Sequence, residues 1–279
     1  MADIALIGIG LVGSALAQRF RLGGLAVAGY DVRPESLREL LPAESARHAA
    51  EQAAWIFLSL PDSDAVEAVI REIESACVGK TIIDTTTGDP ERTAVLGSRL
   101  QEAGIRYVDA TIAGSSLQVR EGTVLVTVGG EAEVVRECSR FFEMFAQDWF
   151  HVGPWGSGAR IKLVINLVLG LNRAVLAEGL ALARAIGLDL PSTLEVLRAS
   201  PAFSRVMESK GSKMITGDFE PVARLRQHWK DVRLIQDQAR KAGQAVPISD
   251  LHAALLATLD AQGFGDLDNS AIFKAFGSV

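Results

Sequence analysis

The chain has 279 residues, 48% hydrophobic and 22% charged, with a formal net charge of −6. That length suits about two domains of ~150 residues, and the composition supplies a globular core without disulfide or metal staples. There is no Lys/Arg run and no basic stripe with interleaved aromatics, so nucleic acid is not an expected partner.

The chain opens on an apolar run after Asp3 with no basic segment before it, so no signal peptide is expected. The first predicted strand, Ala2–Ile7, runs into Gly8-Ile9-Gly10-Leu11-Val12-Gly13 and then an amphipathic helix over Ser14–Leu22. A GxGxxG motif between a strand and a helix has the form of a dinucleotide-binding turn. Gly8 permits the tight turn, Gly10 lets the backbone approach a pyrophosphate, and Gly13 allows close helix–strand packing. The N–H groups from Leu11 and Val12 onward then face the phosphates at a helix N-terminus. A second strand, Ala26–Tyr30, ends at Asp31, 18 residues past Gly13. An acid there bonds the adenosine ribose and repels a 2′-phosphate, which favours NAD over NADP. Arg33, two residues on, is the side chain that accommodates such a phosphate and softens the preference.

Further strands are predicted over Trp55–Leu58, Thr81–Asp84, Arg106–Asp109 and Leu125–Gly129, with helices at Asp64–Glu74 and Glu91–Ala103. The alternation implies an α/β fold with a parallel, doubly wound sheet. Ligands of such sheets lie beyond the carboxyl ends of strands, so Leu60, Pro61 and Thr87 (with Thr86 as its alternative) are expected to border the cofactor. Strands stop at the punctuated segment Gly153-Pro154-Trp155-Gly156-Ser157-Gly158. This divides the chain into a dinucleotide-binding domain, 1–155, and an all-helical domain, 156–279. The first helix of the second part is expected over Ile161–Ile186. Its longest uncharged run, Leu163–Asn172, is well short of the ~20 residues that cross a bilayer, so no membrane span is expected. Apolar residues surround most of it, which predicts a homodimer or homotetramer assembled through the C-terminal helices. Cys77 and Cys138 have no metal or nucleophile spacing and are read as reduced thiols of a cytoplasmic protein. His48, His151, His228 and His252 are scattered, so no metal is expected.

The motifs resemble, in order and over essentially the whole length, those of the β-hydroxyacid dehydrogenases, a family that includes 3-hydroxyisobutyrate dehydrogenase and tartronate semialdehyde reductase. After the GxGxxG, Val108-Asp109-Ala110-Thr111-Ile112-Ala113-Gly114-Ser115 stands where the family has a D-A-P-V-S-G-G substrate loop. Gly122-Thr123 and Val128-Gly129-Gly130 match its G-T and V-G-G. Gly156-Ser157-Gly158-Ala159-Arg160-Ile161-Lys162 matches G-x-G-x-x-x-K, and Ala177-Glu178-Gly179-Leu180 matches the A-E-A/G-L helix. Trp229-Lys230-Asp231 matches K-D, and Gly265-Asp266-Leu267-Asp268-Asn269-Ser270-Ala271 matches the closing G-x-x-D-x-S-A.

The resemblance implies hydride transfer between a nicotinamide and a small β-hydroxyacid or its semialdehyde, with Lys162 as acid/base. Chemistry agrees: one proton must leave or join the oxygen, and a partly buried amine whose charged form is disfavoured can exchange it. Asn166 shares the helix face one turn on and is expected to hold the hydroxyl or orient the ammonium. Lys230 is implied to approach the nicotinamide. The substrate loop departs from the family: Ala113 replaces its serine, followed by Gly114, Ser115 and Ser116, with Gln118 in place of a small residue. Backbone N–H groups at 114–116 are expected to form an anion nest, with hydroxyls and the Gln118 amide as further donors. That loop keeps open a sulfonate or phosphate head group, as in the sulfolactaldehyde reductases. A redox-inactive NAD-binding protein is the reading from a different class.

Overall fold

In a computed structural model, the chain is described over residues 2–33 and 40–277. It divides into two compact units, Met1–Lys162 and Leu163–Val279.

The first unit is built on eight strands: β1 Ile4–Ile7, β2 Val27–Tyr30, β3 Leu41–Pro42, β4 Trp55–Leu58, β5 Thr81–Asp84, β6 Arg106–Ala113, β7 Val124–Gly130 and β8 Ala146–Gly153. They form one sheet in the order β3-β2-β1-β4-β5-β6-β7-β8. The run 3-2-1-4-5-6 is the doubly wound arrangement, with its switch point between β1 and β4. Side chains alternate between faces. Ile4, Leu6, Phe57 and Ile83 join Phe20, Phe141, Phe142 and Phe145 in one core. Ala5, Ile7, Ile56 and Ile82 join Ile70, Leu100 and Tyr107 in the other. Burial on both faces is why the central strands are apolar runs rather than alternating ones. The covering helices are α1 Leu11–Leu22, α2 Ala46–Glu51, α3 Ser63–Ile73, α4 Pro90–Glu102, α5 Ser116–Glu121 and α6 Ala132–Phe142. Asp62 caps α3 through the Ala65 N–H, and Asp89 caps α4 through Glu91 and Arg92, which uses the carboxylate preference of helix starts.

The sheet differs from the sequence expectation in three respects. β7 runs antiparallel to β6, because the chain between Ala113 and Val124 is shorter than the dozen or so residues a parallel crossover needs. β6 continues four residues past Asp109, through the segment expected to form the substrate loop. Strands β3 and β8 were not expected; β3 is a two-residue pairing, and β8 is a mostly exposed edge strand whose polar residues hide any apolar period.

The helical unit comprises most of α7 Ser157–Ala185, then α8 Leu190–Ala199, α9 Val206–Thr216, α10 Leu225–Lys241, α11 Pro247–Leu259 and a 3₁₀ segment Asn269–Phe276. Leu176, Leu180, Met207, Met214, Leu225, Leu256 and Phe273 form its core. α7 has 29 residues, about 43 Å at 1.5 Å per residue. By length and composition it is the one helix among the described residues long and apolar enough to cross a bilayer. One side faces the helical core and carries buried Arg173, while Ile161, Val164, Val168, Val175 and Leu182 are exposed on the other. The first turn of α7 clusters with the first unit because it is bonded to side chains of β6 and β7.

An ion pair sits inside this unit. The Lys210 ammonium donates to both oxygens of Asp268 at 2.8 and 2.9 Å. Asp268 also accepts from the N–H groups of Val222, Ala223 and Ser270 and from the Ser270 hydroxyl. Burial pushes the Asp268 carboxyl up, but Lys210 and the Ser270 bonds more than reverse it, leaving it below the ordinary range. For Lys210 burial wins, and its ammonium lies below its ordinary value despite Asp268.

Candidate active site

The glycine turn follows β1 at the switch point. Gly8 has φ +92°, a left-handed conformation that favours glycine. A Cβ there would strike the Ser59 carbonyl, and one at Gly13 would strike the Gly8 carbonyl. At Gly10 a Cβ would meet only the end of the Arg33 side chain, 4.0 Å away, so the backbone is open to a ligand there. α1 begins behind Gly10 with no side-chain cap and no acidic residue in its first turn, which leaves its positive end for an anion. Leu11 and Val12 start that helix.

Asp31 closes the turn from β2. Its side chain is 8% exposed; Oδ2 accepts the Ile9 N–H at 2.6 Å, and Oδ1 accepts the Arg33 N–H at 2.9 Å. The Arg33 guanidinium approaches the same carboxylate at 3.4 Å and is half exposed. At the next strand ends, Leu60 N–H donates to the Thr86 hydroxyl at 3.1 Å. Thr85 donates to the Leu58 carbonyl at 2.8 Å. Pro61 and Thr87 border these loops, Pro61 exposed and Thr87 half-buried. The residues fit a dinucleotide: room at Gly10, an uncapped helix start, and a carboxylate beyond the second strand.

The region 113–118 is built differently from the nest expected of it. Ala113 ends β6, and Ser115 caps α5 in a capping box with Gln118. Gln118 Oε1 accepts the Ser115 N–H at 2.9 Å and lies 3.2 Å from the Ser115 hydroxyl. The Ser115 N–H is therefore already engaged, by the oxygen of the side chain whose amide was expected as a further donor. Ser116 is buried, and Gly114 precedes the cap.

Lys162 is 6% exposed, as is Asn166 one turn later on α7. Asn166 Nδ2 donates to Asp231 Oδ2 at 2.9 Å within the helical unit. Asp231 also faces the Lys230 ammonium at 3.0 Å, and Lys230 is largely buried. Asp231 was visible in the sequence only as half of the K-D motif; its link to Asn166 spans 65 positions and has no local signature. Over Gly170, one turn past Asn166, the rings of His228 and His252 lie 5.2 Å apart. Burial, aided by Arg173, drives His252 down to about 4.

Under the first turn of α7 sits a group that sequence reasoning assigned to the substrate loop. Asp109 is 2% exposed, and its two oxygens accept the N–H groups of Gly156 at 2.9 Å and Ala159 at 3.0 Å. Burial raises its pKa to about 7, the Gly156 and Ala159 N–H groups opposing this and Asp84 adding to it. Asp84, its neighbour in register on β5, accepts from the Thr86 N–H and the Tyr107 hydroxyl; burial raises it as well.

Comparison with known proteins gives matches over nearly all of the chain. Residues 3–153 match the NAD-binding domain of 6-phosphogluconate dehydrogenase. Residues 156–276 match the model described as NAD-binding of NADP-dependent 3-hydroxyisobutyrate dehydrogenase. The 2-hydroxy-3-oxopropionate reductase of Escherichia coli is 29% identical, with 98% of this chain and 96% of that protein covered. The 2-(hydroxymethyl)glutarate dehydrogenase of Eubacterium barkeri is also 29% identical, covering 98% and 94%. Among solved structures, a 3-hydroxyisobutyrate dehydrogenase of Mycobacterium tuberculosis with L-serine has a TM-score of 0.88 over 100% of both chains, at 23% identity.

Proposed function

The chain belongs to the β-hydroxyacid dehydrogenase family, and from that premise we propose that it moves a hydride between a nicotinamide dinucleotide and a small β-hydroxy carboxylate or its semialdehyde, with Lys162 exchanging the proton. The observation that carries this is a buried lysine directly after the sheet-anchored first turn of α7, in a chain whose opening turn has the space and charge for a dinucleotide. Its relatives include enzymes named for 2-hydroxy-3-oxopropionate and 2-(hydroxymethyl)glutarate, both hydroxylated or oxo carboxylates. They favour a carboxylate over a sulfonate or phosphate head group.

A bound nicotinamide would supply the hydride acceptor for the alcohol carbon, or the hydride donor for the carbonyl carbon. Neutral Lys162 takes the hydroxyl proton in oxidation, and its ammonium returns that proton in reduction. With one amide N–H committed to Asp231, Asn166 presents its oxygen to the reacting hydroxyl or the ammonium. We assign Lys230 to the cofactor's nicotinamide end and Leu60, Pro61 and Thr87 to its ribose and phosphate. Gly114 and Ser116 are assigned to the substrate's anionic group, with Ser115 and Gln118, whose capping box is already closed, and Ala113 shaping the loop. Asp31 sets a preference for NAD, tested by the ratio of kcat/KM values for the two cofactors; a higher value with NADP overturns it.

Lys162→Ala is expected to lower kcat by ~10²–10⁴ with NADH affinity retained. A loss under tenfold removes its role. A wild-type protein that binds NADH but turns over none of 3-hydroxyisobutyrate, D-glycerate, L-serine, 3-hydroxypropionate or sulfolactate is instead a redox-inactive binding protein. We also assign the chain to the cytoplasm as a homodimer or homotetramer. Val168, Val175 and Leu182 are exposed at seven-residue spacing on α7, and such a seam is matched by a second copy of itself. Val168→Glu with Val175→Glu should yield monomers by light scattering, while a wild-type monomer at micromolar concentration refutes the assembly.

A further inference from the structure

We infer that Asp109, with Thr111 and Thr127, is the positioning device for Lys162: these three strand side chains grip the first turn of α7 and so fix where its lysine stands. The inference rests on the role proposed above for Lys162.

Within the sheet unit the grip touches both polarities of the helix backbone. Asp109 accepts the N–H groups of Gly156 and Ala159, two of the donors a helix start leaves without internal partners. The Thr111 and Thr127 hydroxyls lie 2.8 Å apart and reach the Gly158 carbonyl at 3.0 and 3.2 Å. In an α-helix that carbonyl is the acceptor for the N–H four residues on, here the N–H of Lys162. All three side chains are buried. The fit leaves no slack: a Cβ at Gly158 would lie 2.6 Å from both Asp109 Oδ2 and the Thr127 carbonyl. Nothing of this kind is needed merely to begin a helix, since α3 and α4 each start on a single aspartate in sequence with them. α7 takes its cap from a strand 47 positions away.

A carboxylate accepts both N–H groups, and the helix's positive end favours its charge. A neutral acid turns an O–H toward one of the two. Asp109 titrates near neutrality, so the grip is complete above about pH 7 and loosens below it. Among the described residues, Asp84 from β5 raises the Asp109 carboxyl further, and Tyr107 on its own strand is in turn raised by it. No titratable side chain of β7 or the first turn of α7 figures among those acting on it.

Two measurements test this on the full chain. First, amide hydrogen exchange of the peptide spanning 156–162 in wild-type protein, corrected for intrinsic rates, should show protection that falls on acidification with a midpoint near pH 7. Protection flat between about pH 5 and 9 overturns the proposal without any variant having to fold. Second, Asp109→Asn keeps one acceptor and aims an amide N–H at the other donor. It should lower kcat about 10–100-fold, the usual cost of ångström-scale misplacement, with NADH affinity within about twofold and the exchange no longer pH-dependent. Unchanged kcat overturns the proposal. Thr111→Val with Thr127→Val should reproduce the fall in kcat with the pH dependence of exchange retained; unchanged kcat there removes the threonines from the device. Lys162→Ala separates the two readings. Undiminished activity in that variant sinks the acid/base role, while the exchange data still report whether Asp109 grips the helix.

Discussion

The buried Lys210–Asp268 pair should respond very unequally to the loss of its two members. In Asp268→Asn the ammonium loses both of its carboxylate bonds inside a core where it is 8% exposed, and the new amide N–H confronts the Val222 and Ala223 N–H groups that share Oδ2. Stranding a buried charge costs about 3–5 kcal/mol. In Lys210→Met the carboxylate keeps three backbone N–H groups and the Ser270 hydroxyl. Hydrogen bonds to a charged group contribute roughly 1.5–3 kcal/mol each, so it remains compensated, and the loss should be about 1–2 kcal/mol. At roughly 2–4 °C per kcal/mol for a chain of this size, Asp268→Asn should melt about 6–20 °C below wild type and Lys210→Met about 2–8 °C below, by thermal circular dichroism at neutral pH. The Asp268 carboxyl lies below its ordinary range when folded, so its contribution is present above about pH 4 and is lost as pH falls through the folded value. The gap between wild type and Asp268→Asn should therefore narrow in acid. Equal melting temperatures for the two variants, or a lower one for Lys210→Met, would refute the claim that the carboxylate is independently held.

Three further outcomes are expected. Gly170→Ala gains about 1 kcal/mol of helix propensity but places a methyl 2.5 Å from His228 and 3.0 Å from His252. Overpacking costs ~1–3 kcal/mol, so urea unfolding should show net destabilisation, and a more stable variant would deny that the rings are fixed. Because His252 is held down to about 4, well below its unfolded value, wild-type stability contributed by this group should be lost as pH falls from about 6.5 to 4. The loss is roughly 3 kcal/mol, and His252→Leu should flatten that part of the pH profile; identical profiles contradict it. Cys77 and Cys138 are fully buried, and burial raises them to about 11 and about 12. Native protein should leave both unreacted with a thiol reagent near pH 8 until denaturant is added.

The nucleotide-binding half was legible because its signals are local. A glycine turn, the strand before it and the carboxylate ending the next strand fall within 31 residues of the N-terminus, and buried parallel strands announce themselves as apolar runs. β8 escaped because an exposed edge strand such as Gln147-Asp148-Trp149-Phe150-His151 needs no apolar face. The common role of Asp109, Thr111 and Thr127 was hidden for a different reason: Asp109 and Thr127 fall in expected strands and Thr111 in an expected loop, and the partners that unite them sit on a helix start some 30–50 positions on. Gln118 likewise looked like a free donor, since its capping role depends on the turn it closes. The Asn166–Asp231 bond joins two helices and no spacing rule reaches it.

On the proposed assignment of residues 113–118 to the substrate, the reversal between β6 and β7 bears on how new substrates are acquired. The segment from Gly114 to Thr123 turns the chain back because it is too short to cross over. Exchanging its side chains leaves that geometry alone. Lengthening it by several residues would relax the constraint that makes the two strands neighbours running in opposite directions. Diversification here is therefore confined to replacement at fixed length, and a library that varies residues 113–118 without insertions samples the changes the sheet can tolerate.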